Sequence, residues 1–125
     1  MKRLLFVSFA ALVLSGCATQ NHTIYQWGGY DELLYQSYKS PDRVEAMRVG
    51  LEALLLRLDQ QSQKPPPGLY AELGTLYLQL GDDKKALKNY ELERSNWPES
   101  KTLMDSLIKT LEGRNKTAAA EGATK

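Results

Sequence analysis

Few side chains in this sequence have the chemistry of a catalyst or a metal ligand, and Cys17 and His22 are each the only residue of their type. A general base or a metal site at His22 would need partner residues, and the short polar segment around it predicts a tether. Asp82 and Asp83 follow Gly81, as is typical of a helix N-terminus that is stabilised by the helix dipole. No serine has a histidine near it in the sequence, and neither a Gly-x-Ser-x-Gly segment nor a glycine-rich phosphate loop occurs. The sequence therefore predicts a protein that is not an enzyme and needs no metal or cofactor.

The first sixteen residues have the layout of a secretory signal peptide. Lys2 and Arg3 precede an apolar run over residues 4–14 that only Ser8 interrupts. About ten apolar residues are too few to span a bilayer, which takes about twenty. Residues 1–16 are therefore predicted to be a cleaved signal and not a transmembrane helix.

The signal ends in Leu14, Ser15, Gly16 and Cys17, and this order resembles the bacterial lipobox. The resemblance implies a diacylglyceryl thioether on Cys17, cleavage before it and acylation of the new amino terminus. Each buried CH₂ group contributes about 0.8 kcal/mol, so one acyl chain anchors only marginally whereas two or three hold a protein permanently. An acylated Cys17 leaves no thiol for a disulfide. An ordinary signal peptide with an incidental cysteine is the alternative.

The residue after Cys17 bears on which membrane the chain would reach. In bacterial lipoproteins an Asp at this position often signals retention in the inner membrane, and Ala18 stands there instead. The resemblance thus implies a protein that is attached to the outer membrane through its lipid anchor and faces the periplasm.

The charge balance argues against nucleic acid as a partner. The whole chain has 16 Lys and Arg against 15 Asp and Glu, so removing Lys2 and Arg3 with the signal leaves 14 basic and 15 acidic residues, a net charge of −1. No basic excess remains to neutralise phosphates. With no catalytic group in the pattern, a small-molecule substrate is not expected either.

Apolar residues recur at helical spacing between residues 30 and 113, and no window alternates with period two over the length of a strand. The pattern predicts an all-α, compact domain of about five helices. We expect these helices to run from about Tyr30 to Lys39, from Ser40-Pro41 to the polar run 59–64, from near Pro67 to Leu80, from the turn Gly81-Asp82-Asp83 to Pro98, and from near Pro98–Ser100 to a C-terminal cap at Gly113. Val49 and Leu56 lie off the apolar stripe of the second helix, which predicts that this helix is buried on more than one side.

The domain boundaries follow from these elements. Residues 17–29 are predicted to form the lipidated cysteine and a tether with an aromatic cluster, and residues 30–113 the helical domain. Residues 114–125 contain Ala, Thr, Gly and charged residues but no large apolar side chain. They are predicted to be a disordered tail.

Residues 67–100 resemble a tetratricopeptide repeat, whose pattern spans about thirty-four positions. The resemblance is carried by Pro67, Tyr70, Leu73, Gly74, Tyr77, Gly81, Ala86, Tyr90 and Pro98. It implies that Gly74 and Ala86 are small because two antiparallel helices approach closely there. Glu93 stands where the repeat usually has Ala, so no regular following repeat is expected to pack on that surface. One repeat cannot bury its own faces, and we expect the first two helices to form a degenerate preceding unit and the fifth to cap the array. A generic helical hairpin is the alternative.

In peptide-binding tetratricopeptide repeats, the first helix of each pair lines an inner groove. The matching positions here are Ala71, Thr75, Leu78 and Gln79. Ala71 and Thr75 stand where some members carry the Lys and Asn that clamp a terminal carboxylate. The resemblance therefore implies a small apolar or polar peptide groove and not a carboxylate clamp.

The aromatic cluster Tyr25-x-Trp27-Gly28-x-Tyr30 carries a second resemblance. Together with Leu33-Leu34-Tyr35 and Tyr38, the lipobox and the repeat, it resembles the small bacterial lipoproteins of domain of unknown function 4810. The resemblance covers most of the mature chain. It implies an outer-membrane lipoprotein, typically encoded beside a lipoprotein similar to the curli secretion channel, and it implies no catalytic residue. Trp27 has two interpretations, packing on the first two helices or anchoring an interface.

Anchor, helical repeat and absent catalytic groups together favour one function. This is a periplasm-facing accessory factor that binds envelope proteins, such as a lipoprotein similar to the curli channel, and helps assemble or stabilise a secretion or surface complex. A regulator that docks on a peptidoglycan synthase is the alternative from another class. A structural envelope lipoprotein without a dedicated partner is the third.

Overall fold

Five α-helices and one 3-10 turn follow one another along residues 24–122, the part of the chain that the computed structural model describes. They are α1 (Tyr30–Lys39), α2 (Arg43–Gln60), α3 (Leu69–Gln79), α4 (Asp83–Asn96), the 3-10 turn (Pro98–Ser100) and α5 (Lys101–Gly122). No strand occurs between residues 24 and 122, and the predicted all-α class with five helices is confirmed. The predicted signal peptide and the lipobox with Cys17 lie outside the described residues.

Each helix packs on its neighbours in the chain, so α1 lies on α2, α2 on α3, α3 on α4 and α4 on α5. The short connections make α1–α2 and α3–α4 two helical hairpins, and α5 covers the far side of α4. One apolar core runs through the helices. Its buried members are Met47, Leu51, Leu54, Leu55, Leu58, Leu69, Leu73, Leu76, Tyr77, Ala86, Tyr90, Met104, Ile108 and Leu111.

The helix starts show which of the predicted caps form. Asp82 caps α4, because its Oδ1 accepts a hydrogen bond from the Lys85 backbone N–H at 3.0 Å. A helix that starts at Ser40-Pro41 would have Ser40 as its N-cap, but the N-cap of α2 is Asp42. The Ser40 N–H instead donates to the Ser37 carbonyl and ends α1. The turn between the first two helices is therefore two residues longer than the sequence pattern suggests.

Gly74 and Gly50 allow the two hairpins to close. A Cβ atom at Gly74 would lie 2.7 Å from the Tyr90 ring and 3.2 Å from the Ala86 carbonyl oxygen. This is the close approach that the repeat resemblance implies for Gly74 and Ala86. A Cβ atom at Gly50 would lie 2.0 Å from Leu33 Cδ1, so Gly50 admits a side chain of α1.

Glu93, which stands where the repeat usually has Ala, is fully buried. Its Oε1 accepts hydrogen bonds from the Gly68 backbone N–H at 2.8 Å and from the Ser100 hydroxyl at 3.0 Å. The carboxylate thus joins the start of α3 to the 3-10 turn. Burial of a polar group costs less free energy when hydrogen bonds within the protein replace its contacts with water. Only Oε1 is bonded in this way, since Glu93 Oε2 is buried without a hydrogen-bond partner among the described residues.

Two other predictions differ from the structure. α5 does not end at Gly113 but continues to Gly122, so residues 114–122 are helical where a disordered tail was predicted. Residues 118–120 are all alanine, which has the highest helix propensity, and Arg114 is paired with Asp83 of α4 at 2.8 Å. Val49 and Leu56 remain 50% and 59% exposed, so α2 is not buried on that side.

Within residues 24–122 no helix combines the length and the apolar character that crossing a membrane requires.

Candidate functional site

The four predicted groove residues on α3 do not face one common groove. Leu78 lines a cavity of about 80 Å³ that lies toward α5 and includes Leu107. Gln79 lines a different cavity, of about 190 Å³, that lies toward α1 and α2. Thr75 is exposed, and its hydroxyl donates to the Ala71 carbonyl at 3.0 Å and lies 3.2 Å from the Tyr90 hydroxyl. The helical twist of α3 divides these positions between its two sides.

The cavity beside Gln79 has an apolar floor and a polar rim. Its floor is formed by Leu34, Val44, Met47 and Leu76, and its rim by Tyr38, Arg43, Glu72 and Gln79. Ser37 is buried in its wall, where its hydroxyl donates to the Leu34 carbonyl at 2.8 Å. The cavity therefore offers an apolar pocket whose polar groups are already partly engaged within the protein.

A second cavity, of about 410 Å³, shares Tyr38, Arg43 and Val44 with the first. It extends to Leu80 at the end of α3 and to the 40–45 segment between α1 and α2. We call the two cavities together the α1–α3 groove. Tyr38 is 64% exposed and Leu80 45% exposed along it. Large apolar side chains left open beside a pocket are typical of a binding surface.

Tyr38 is a residue of this groove that was not among the predicted partner-binding residues. Its spacing puts it on one helix face with Tyr30, Leu34 and Ser37, but α1 is the first of the described helices and no later helix packs on its far end. The Tyr38 ring instead lies 5.4 Å from the Arg43 guanidinium carbon. The signal that could have revealed it is the Arg43 cation five positions later, across the turn.

A hydrogen bond between α1 and α3 holds Glu72, which lines the smaller cavity of the groove. The Tyr30 hydroxyl donates to Glu72 Oε2 at 2.6 Å. Burial of the phenol and, to a smaller degree, the neighbouring Glu72 carboxylate raise the pKa of Tyr30 above its ordinary value. The phenol therefore stays protonated and keeps donating its hydrogen bond.

Charges near the open end of the groove are largely paired within the protein. Arg48 forms ion pairs with Glu45 and, at 2.6 Å, with Glu52. The Arg48 guanidinium lowers the pKa of the Glu45 carboxyl, chiefly through their hydrogen bonds. Arg43 and Asp42 contribute one charge of each sign at the same end. The groove therefore has no strong charge of either sign, and its apolar and aromatic side chains dominate what it can bind.

The aromatic cluster of residues 25–30 divides between packing and exposure. Tyr25 packs edge-on against Trp97, with ring centroids 5.4 Å apart, and the Lys64 ammonium lies 3.5 Å from the centre of the Trp97 ring. The Trp27 ring lies 5.7 Å from Tyr30 but is still 38% exposed. Both interpretations of Trp27 therefore keep a structural basis, since one part of the ring is packed and another is free to contact a partner.

The acidic residues of the 24–122 range were compared with the requirements of a metal site. No group of three or more His, Cys, Asp or Glu side chains in this range could hold a metal ion. Asp82, one of the two adjacent acids, serves as the N-cap of α4, and Asp83 is paired with Arg114.

Comparison with known proteins identifies a family. A family model described as domain of unknown function DUF4810 matches residues 24–107. Those residues include all of the α1–α3 groove and end within α5. No curated protein and no solved structure matches the chain.

Proposed function

We propose that this chain, which belongs to the domain of unknown function DUF4810 family, is a lipid-anchored accessory protein that binds other envelope proteins through its α1–α3 groove. In this proposal Cys17 attaches the protein to the periplasmic face of the outer membrane. The helical domain then holds a partner and helps to assemble or stabilise an envelope complex. A lipoprotein similar to the curli secretion channel is the partner class that the family resemblance favours.

The observation that carries the proposal is the exposure of large side chains along the α1–α3 groove. Tyr38 and Leu80 stand open at its rim, while Leu34, Met47 and Leu76 form an apolar floor. Tyrosine is enriched at interface hot spots because its ring buries a large area and its hydroxyl finds a polar partner. A side chain of a partner protein that fills the pocket would bury this surface.

Tyr35 and Tyr38 offer a matched test of this proposal. Both are tyrosines of α1, and they are 54% and 64% exposed. Only Tyr38 lines the groove. The Tyr35 ring lies outside it, with the Lys39 ammonium 4.0 Å from the ring centre. Truncation of either residue removes exposed area, so each should change the free energy of unfolding by no more than about 0.5 kcal/mol.

The measurement is co-purification of envelope proteins with the wild type, Tyr38→Ala and Tyr35→Ala after solubilisation of the membrane. We expect Tyr38→Ala to recover about tenfold less partner, a loss of about 1.4 kcal/mol. Tyr35→Ala should recover as much partner as the wild type. Equal recovery by all three proteins, or an equal loss in both variants, would place the binding surface outside the groove. Recovery of a peptidoglycan synthase would favour the docking regulator over the assembly factor.

A further inference from the structure

The described chain begins at one end of the helical domain. Several helices start or finish at this same end. Tyr25 contacts Trp97, which follows α4, and the Gly28 carbonyl accepts a hydrogen bond of 2.5 Å from Arg57 near the end of α2. The Gly68 N–H, just before α3, is bonded to Glu93 of α4. We call this region the entry end. It comprises residues 24–29, the end of α2, residues 61–68 and the 3-10 turn with the start of α5.

The entry end carries exposed apolar side chains close to its edge. Ile24 is 90% exposed and Trp27 38% exposed on the segment that leads into α1. Leu56 near the end of α2 and Leu103 in the first turn of α5 are 59% and 60% exposed. Such side chains contact water in the free domain, and their burial against another apolar phase would be favourable.

The distance between this end and the proposed anchor is short. Seven residue steps separate Cys17 from Ile24. A fully extended chain covers at most about 3.6 Å for each residue, so the anchor holds Ile24 within about 25 Å of the bilayer surface. A short tether of this kind corresponds to an effective concentration in the millimolar range. A weak contact that would not hold a free protein on a membrane can therefore form for much of the time in a tethered domain.

We infer that the entry end lies on the lipid surface, with Ile24 and Trp27 in the interface between headgroups and acyl chains. This inference depends on the lipid anchor of the proposed function. Isoleucine contributes an apolar side chain, and the amphipathic ring of tryptophan favours the boundary between water and acyl chains. The occupant of this surface is therefore the bilayer and not a protein.

The charges of the entry end indicate which lipids it accepts. Arg57, Lys64 and Lys101 are exposed there, but so are Asp59 and Glu99, and Lys101 is paired with Asp105 at 2.5 Å. The attraction to anionic headgroups is therefore largely offset, and the contact depends on the apolar side chains. We expect the entry end to lie on zwitterionic bilayers as well as on anionic ones.

This orientation places the open end of the α1–α3 groove away from the membrane. α1 begins at the entry end and has ten residues, which span about 15 Å at 1.5 Å for each residue. Tyr38 and Leu80 lie at its far end, beside the turn that follows α1 and the end of α3. The groove would then open toward the periplasm, where partner proteins can reach it.

The two tryptophans of the chain make the contact measurable. Trp27 is exposed, whereas Trp97 is only 7% exposed. We would purify the acylated full-length mature protein from membranes and reconstitute it into phosphatidylcholine vesicles that carry bromine atoms near the headgroups. The difference in fluorescence quenching between the wild type and Trp27→Phe then reports on Trp27 alone.

We expect the bromolipid to quench the wild type and most of that quenching to be lost in Trp27→Phe. Ile24→Glu should also weaken the quenching, whereas Val49→Glu, on an exposed face in the middle of α2, should leave it unchanged. Equal quenching of the wild type and Trp27→Phe, or quenching confined to anionic vesicles, would overturn the inference. The intact mass of the same sample shows whether Cys17 is acylated, so an acylated protein with unquenched Trp27 refutes the membrane contact alone, and an unacylated protein refutes the anchor itself.

Discussion

In the α1–α2 hairpin the small residue, Gly50, lies on the second helix and receives Leu33 from the first, whereas in the α3–α4 hairpin Gly74 lies on the first helix and receives Tyr90 from the second. The packing device is the same, but the side chains that fill the gap differ in size and burial. Tyr90 is 1% exposed, and Leu33 is only partly buried. The α3–α4 hairpin is thus the better packed of the two.

The difference follows from the place of each hairpin in the array. α3–α4 has α2 on one side and α5 on the other, whereas α1 has α2 as its packing partner and no helix of the described chain beyond it. The same sequence feature, aromatic residues at helical spacing, therefore gives buried rings in one hairpin and exposed rings in the other. The central hairpin serves stability, and the terminal one has side chains free for binding.

The largest expected effect comes from removing the side chain that fills each gap. Tyr90→Ala should lower the free energy of unfolding by about 3–5 kcal/mol, because it empties the space beside Gly74 in a fully buried site. Leu33→Ala should cost only about 1–2 kcal/mol, since the partly buried Leu33 loses less contact area on truncation. Urea unfolding of the domain followed by circular dichroism measures both values.

Tyr90→Phe is the control for the hydroxyl of Tyr90, which lies 3.2 Å from the Thr75 hydroxyl. It keeps the ring and should cost about 1 kcal/mol, the typical contribution of one hydrogen bond. Similar losses for Leu33→Ala and Tyr90→Ala would show that the two hairpins contribute equally to stability and would contradict the comparison.

A smaller difference is expected when a methyl group is added at each glycine. Gly74→Ala would push against the Tyr90 ring at 2.7 Å and the Ala86 carbonyl at 3.2 Å. Ring and backbone both move with difficulty, so overpacking should exceed the gain in helix propensity and leave a net loss of about 2 kcal/mol.

In Gly50→Ala the new methyl group meets the Leu33 side chain and no backbone, with Cδ1 at 2.0 Å and Cδ2 and Cγ each at 3.1 Å. That side chain is flexible and partly exposed, so it can rotate away at little cost. The gain in helix propensity, about 1 kcal/mol, should then offset the strain and leave the free energy of unfolding nearly unchanged. The midpoints of thermal unfolding of the two variants compare them directly, and a Gly50→Ala variant less stable than Gly74→Ala would reverse the ranking of the hairpins.

The sequence predicts the helices and their order well because local periodicity and the proline and glycine breaks determine them. It also predicts the close approach at Gly74 and Ala86, since two helices can come this near only where both carry small residues. Burial at particular positions depends on neighbours that are distant in sequence. The burial of Glu93, for example, depends on the Gly68 N–H, which is 25 positions away and donates to its carboxylate.

The α1–α3 groove could be predicted only in part for the same reason. Gln79 was predicted as a groove residue and lies in it, while Leu78 lies toward α5. Tyr38 was not predicted as a binding residue, because a periodic pattern cannot indicate where an array ends and which side chains it leaves exposed. The large apolar residues that define the helix pattern end at Leu111, so the pattern predicts a helix end at Gly113. The alanines at 118–120 favour helix locally, but the contact between Arg114 and Asp83 of α4 is tertiary.

The smallest effect distinguishes the helix caps of the two hairpins. Asp42 and Asp82 are both N-caps of the second helix in their hairpin. The Asp82 carboxylate accepts a hydrogen bond from the Lys85 N–H, whereas the Asp42 side chain makes no capping bond. Asp82→Ala should therefore lower the free energy of unfolding by about 1 kcal/mol. Asp42→Ala should lower it by about 0.3 kcal/mol, since only the interaction with the helix dipole is lost.

Asp82→Asn, which keeps a side-chain oxygen that can accept the Lys85 N–H, should restore most of the stability that Asp82→Ala loses, as urea unfolding can show. A loss as large in Asp82→Asn as in Asp82→Ala would mean that the charge of Asp82, including its interaction with the Lys85 ammonium at 3.5 Å, contributes more to the start of α4 than the capping hydrogen bond does.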